Sequence, residues 1–152
     1  MGAQTNEVKI MVSNTTATTK VTRIAGRKLV SARSFIDDAE RQLERSRLAG
    51  RVDDQVVFAY RAALRAAGAL VQDAMQTRKR SPRGSAWEKL RSLQPDLDEW
   101  VKLFEGYARV ASRAGMGLES GLDPNLTARL YEDAARFVDF ARDETGYLPS
   151  VA

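Results

Sequence analysis

The chain has 152 residues, with 24 Lys and Arg against 20 Asp and Glu, for a net charge of +4 at pH 7. It contains no cysteine and no histidine. Those two zeros exclude disulfides, a thiolate nucleophile, zinc ribbons, iron–sulfur ligation, a Ser-His-Asp triad and an HExxH metal site. They also remove the side chain used most for proton transfer near neutral pH. No metal and no cofactor is therefore expected. The length suits one domain with a real core.

The charge is unevenly spread. Residues 1–83 carry 16 basic and 8 acidic side chains, whereas residues 84–152 carry 8 and 12. That asymmetry fits a polyanionic partner for the first part, or two halves of one bundle that attract each other. Arg outnumbers Lys by 18 to 6 and alanine is abundant, as in proteins of GC-rich bacterial genomes. No apolar run approaches the roughly 20 residues of a membrane span. The first residues lack the basic-then-apolar order of an export signal. A cytoplasmic protein without membrane contact is expected.

In chain order, residues 1–22 are polar and Thr-rich around the run Val8-Lys9-Ile10-Met11-Val12, and read as a flexible N-terminal tail. From about Arg27 the period becomes helical, with Leu29, Ala32, Ile36, Ala39 and Leu43 at steps of three and four. Gly50 ends this first helix. Asp53 or Asp54 is expected to cap a long second helix to about Thr77, with Val57, Tyr60, Leu64, Ala67, Val71 and Ala74 as its apolar stripe. Its many alanines and Gly68 make it slim, as a central helix would be. A loop Arg78-Lys79-Arg80-Ser81-Pro82-Arg83-Gly84 follows.

Ser85-Ala86-Trp87-Glu88 then reads as a capping box opening a short helix to Gln94. Pro95 is expected at the first position of a fourth helix, facing inward with Leu97, Trp100/Val101, Phe104, Tyr107/Ala108 and Ala111. Residues 115–122 form a glycine-rich connector. Asp123-Pro124 starts a last helix with Leu126, Leu130, Ala134, Phe137 and Ala141 inward. The expected fold class is all-α, an up-and-down bundle of four long helices and one short one over residues 23–146, with 147–152 as a C-terminal tail.

Three constellations bear on function. Arg78, Lys79, Arg80 and Arg83 lie beside the helix start at Ser85, a pattern that suits an anion site. It suits equally a solvated turn at a helix end. Phe58, Arg61, Arg65, Gly68 and Gln72 share one strip of the second helix. Arg61 and Arg65 there could hold a phosphate or base, pair with Asp37, Asp38 or Glu40, or serve a subunit interface. Trp87 and Trp100 fall at apolar phases, which favours core packing over a stacking platform. No Walker A, GxGxxG or paired-acid spacing is present, and no catalytic residue is assigned.

The run Tyr60-Arg61-Ala62-Ala63-Leu64-Arg65-Ala66-Ala67-Gly68-Ala69, the basic loop, Ser85-Ala86-Trp87-Glu88-Lys89-Leu90 and then Pro95-x-Leu97-x-Glu99-Trp100 occur in an order that resembles the HEPN superfamily. The resemblance spans about residues 28–144 and is to an actinobacterial branch with an S-A-W-E helix start. It implies a helical bundle, commonly a homodimer, and a link to nucleic acid, DNA repair or stress response. Many members are RNases whose Arg is followed four to six residues later by His. Neither Arg61 nor Arg65 has that His. The expectation is a non-catalytic module, not an enzyme, that binds RNA, DNA or a nucleotide. The alternatives are a protein–protein interaction or dimerisation module with no nucleic-acid role and, last, a His-independent RNase.

Overall fold

In the computed structural model, the described residues are 32–118 and 121–146. They form an all-α bundle: α1 (residues 32–48), α2 (Val52–Met75), α3 (Ala86–Leu93), a 3-10 turn (Pro95–Leu97), α4 (Asp98–Gly115) and α5 (Pro124–Glu144). The expected tails 1–22 and 147–152, and Leu29, lie outside the described residues.

Alanine makes α2 the centre of the bundle. Ala59, Ala62, Ala63, Ala66, Ala67 and Ala69 are fully buried, because a methyl side chain lets neighbours approach on several sides. Phe35 of α1 lies on Gly68, Gly115 of α4 faces Val57, and the Trp87 indole N–H of α3 donates to the Tyr60 hydroxyl at 2.8 Å. α5 packs along the same helix. The expected stripe is therefore only partly right. Val57, Tyr60, Leu64 and Ala74 are half-buried, while Val56, Ala59, Ala63, Ala66 and Leu70 sit deepest with Ala67. The larger side chains flank the central line and fill the corners between helices.

The outer helices run alternately up and down. Glu40 of α1 pairs with Arg142 near the far end of α5, and the Ser46 hydroxyl donates to the Gln55 carbonyl at 2.7 Å across the α1–α2 corner. The Tyr107 hydroxyl donates to Asp133 at 2.8 Å across α4 and α5. Burial first, and then that carboxylate, push its phenol up to about 12. Phe104 and Phe137 are fully buried, each contributing about 1.5–3 kcal/mol of apolar burial. Trp87 stacks on Phe104 with centroids 5.2 Å apart, and Trp100 packs on Phe137 at 5.0 Å.

Two helix starts differ from expectation. α2 begins at Val52 after Arg51, with no side-chain cap. Asp53 and Asp54 sit inside its first turn, where they favour the positive end of the helix dipole, and Asp53 is held by Arg51 at 3.2 Å. Pro95 opens a 3-10 turn, and α4 proper starts at Asp98. The other two starts are as the sequence implies: Ser85 caps α3 by accepting the Glu88 N–H at 3.2 Å, and Asp123 caps α5 by accepting the Asn125 N–H at 2.9 Å.

Candidate functional site

Loop geometry follows from the two helix ends that frame it. α2 stops at Met75, and the Arg78 N–H bonds back to the Met75 carbonyl at 3.1 Å. Pro82 has no N–H to continue a helix, and Gly84 takes φ +110°, a conformation in which L side chains are strained. At the far side, Trp87 is 4% exposed and fixed by Phe104 and by Tyr60, two residues beyond the cap. Residues 78–85 therefore form a projecting turn on firm footings.

Arg78, Lys79, Arg80 and Arg83 are all exposed and form no ion pair with any described residue. The nearest acids in the chain do not reach them. Asp73 lies within α2, where burial pushes its carboxyl up. The Glu88 side chain folds back over Gly84. With the Ser85 oxygen committed to the cap and a carboxylate beside it, the start of α3 is a poor place for an anion. The four cations are not subject to that objection.

The α2 strip is built differently. The Arg65 Nε–H donates to Asp38 of α1 at 2.8 Å, and Asp38 also meets Arg41 at 3.6 Å. These residues line an open depression of about 350 Å³ with Ser34 and Phe35. The Arg61 guanidinium lies over the Phe58 ring, 5.8 Å from its centre. Gly68 has no room for more: a Cβ there would stand 2.8 Å from the Phe35 ring. Ten residues of helix separate Arg65 from Met75, about 15 Å along the axis. The strip and the loop are therefore two places, and the sequence-predicted residues do not converge on one groove.

No expectation from sequence placed weight on the opposite end of the bundle. There Leu48, Met116 and Leu118 are 67%, 63% and 57% exposed, with Val52 beside them. Nearby, Ser46, Arg47, Gln55, Thr127, Ala128 and Tyr131 line an open depression of about 290 Å³. The signal that pointed there was the polar residues at inward phases of α1, Gln42 and Ser46, both buried. Among the described residues no cluster of acids could hold a metal ion. No described helix is long and apolar enough to cross a membrane.

Compared with known proteins, residues 47–142 match the SAV_6107-like HEPN family. The match covers α2 through α5 and takes in only the end of α1. No curated protein and no solved structure gives a significant match.

Proposed function

The chain belongs to the SAV_6107-like HEPN family, and from that premise we propose that it is a non-catalytic module that binds nucleic acid through the loop at residues 78–83. The observation that carries this reading is the state of the four loop cations. Arg41, Arg47, Arg65, Arg91, Arg136 and Arg142 on the helices, and Arg51 just before α2, are held by carboxylates, while Arg45, Arg61, Arg109 and Arg129 are spread singly over α1, α2, α4 and α5 with no carboxylate partner among the described residues. Arg78, Lys79, Arg80 and Arg83 are held by none among the described residues and stand together on a projecting turn. Phosphate oxygens are the natural partners of such guanidinium groups.

The lack of histidine supports the non-catalytic part. An Arg can stabilise charge on a phosphoryl group, but a general base must take the attacking hydroxyl's proton. The Arg–His pair of the family's RNases cannot be assembled from a chain without His. If Arg61 or Arg65 corresponds to that Arg, it rests on Phe58 or Asp38 in this fold.

Fluorescence anisotropy with labelled DNA and RNA tests the reading. Binding is expected to fall steeply with salt, with a log–log slope of about −3.6 on duplex DNA if all four cations meet phosphates. Arg78→Ala with Arg80→Ala is expected to remove about half of that slope. Absence of binding at low salt, or an unchanged slope in the double variant, overturns it. A second reading, a protein-interaction module, is favoured by the exposed apolar end at Leu48, Val52, Met116 and Leu118. The same titration separates the two, since that module would leave nucleic acid unbound.

A further inference from the structure

Ser81 stands in the middle of the cationic loop, with Arg78, Lys79 and Arg80 before it and Pro82 and Arg83 after it. Its hydroxyl is exposed and makes one hydrogen bond, to the Pro82 carbonyl at 3.2 Å. Among the described serines it alone lies outside a helix and outside a cap. Ser34, Ser46, Ser92 and Ser112 are inside α1, α3 and α4, and Ser85 caps α3. Ser112 also follows an arginine by three positions, Arg109, but its backbone is locked in α4. Proline at 82 biases Ser81 toward extended backbone, so the hydroxyl is presented on an open segment that another protein's cleft can take.

We propose that Ser81 is a phosphorylation site for a serine kinase that selects basic residues upstream of its target, and that the phosphate weakens the loop's affinity for nucleic acid. The switch rests on the nucleic-acid reading above; the site does not. In the transfer, the Ser81 Oγ attacks the γ-phosphorus of ATP. A new O–P bond forms, the bond to the β-phosphate oxygen breaks, ADP leaves, and the hydroxyl proton passes to the kinase's base.

The product sets a charge of about −2 among four cations. Its oxygens can be satisfied locally by guanidinium groups that have no competing carboxylate. Those groups are then no longer available to a polynucleotide, and the local charge falls from +4 to about +2. The framework need not move, because both loop footings lie in helices that the phosphate does not touch.

The intact chain, incubated with Mg-ATP and a purified serine kinase selective for arginine three residues before the target, is expected to gain one phosphate. Peptide mass spectrometry should place it at Ser81, and Ser81→Ala should lose it. The phosphorylated chain should then show about half the salt slope of the unmodified one on the same duplex, with binding at least about tenfold weaker at low salt. No incorporation, or incorporation that persists in Ser81→Ala, overturns the site. Incorporation at Ser81 with unchanged binding overturns the switch and leaves the nucleic-acid reading standing. If the unmodified chain does not bind, that reading falls together with the switch, and labelling of Ser81 supports the site alone.

Discussion

Two arginine groups lie within about twenty residues of each other and have opposite circumstances. On α2, Arg65 faces the Asp38 carboxylate and Arg61 lies over Phe58, while Phe35 covers the neighbouring Gly68. On the loop, Arg78, Lys79, Arg80 and Arg83 meet no carboxylate among the described residues. The difference comes from topology. A helix in the middle of a bundle is flanked by helices that carry side chains within reach, so Arg65 finds an acid of α1 and Arg61 stays over its own helix's Phe58 ring. A turn that projects past the helix ends has no flanking surface. The loop carries four cations to the strip's two, and it also leaves them without a carboxylate among the described residues.

Trp87 gives the largest expected effect, because it is the loop's footing and part of the core. Trp87→Ala removes a side chain that is 4% exposed, its stacking on Phe104 and its hydrogen bond to Tyr60. Urea unfolding should show a loss of about 3–5 kcal/mol. Arg78→Ala with Arg80→Ala, a few residues away, should change stability by no more than about 0.5 kcal/mol. A loop variant that destabilises the bundle like the Trp87 variant would break the contrast between footing and turn.

A smaller effect sharpens it on the strip side. Gly68 and Gly106 are both inside helices, but a Cβ at Gly106 meets nothing within 4 Å, whereas one at Gly68 meets the Phe35 ring at 2.8 Å. Gly106→Ala should therefore stabilise the protein by about 0.5–1 kcal/mol through helix propensity alone. Gly68→Ala carries the same gain but must displace the ring that seals α1 to α2. Overpacking of that kind costs about 1–3 kcal/mol, so a net loss of about 1 kcal/mol is expected. Parallel denaturant curves of the two variants decide it. Equal gains at both positions would mean that the strip is open and that Phe35 does not seal it.

The bundle was legible because period and punctuation agree. Ser85 and Asp123 cap where their spacing implies, and Phe104, Leu130 and Phe137 are buried as their phases require. The start of α2 was less legible. Asp53 and Asp54 look like caps, yet they also suit a first turn, and only the backbone at Arg51 decides between the two roles. The α2 stripe was misread toward its large residues, because in a helix touched on several sides the deepest positions must be small. For the site, composition picks out both arginine groups, but Asp38 is 27 residues before Arg65 in the chain, so their pairing exists only in the fold. Leu48, exposed at the other end, falls off the expected α1 stripe, and Met116 and Leu118 fall in the connector, so the sequence leaves them out of the core without showing that they come together.

Arg65 gives the smallest effect. Its side chain is 50% exposed and that of Asp38 27%, so solvent and salt screen the pair, and its net worth is at most about 0.5 kcal/mol. A double-mutant cycle with Arg65→Ala and Asp38→Ala should return a coupling of that size, smaller at high salt. Binding is the more discriminating readout. A guanidinium already satisfied by Asp38 releases no counterion from DNA, so Arg65→Ala should leave the salt slope of the wild type intact. A slope reduced by about 0.9 would mean that Arg65 exchanges its carboxylate for a phosphate when nucleic acid arrives. The strip would then be a second contact about 15 Å or more from the loop, and Arg65 would join the loop cations as a binding residue.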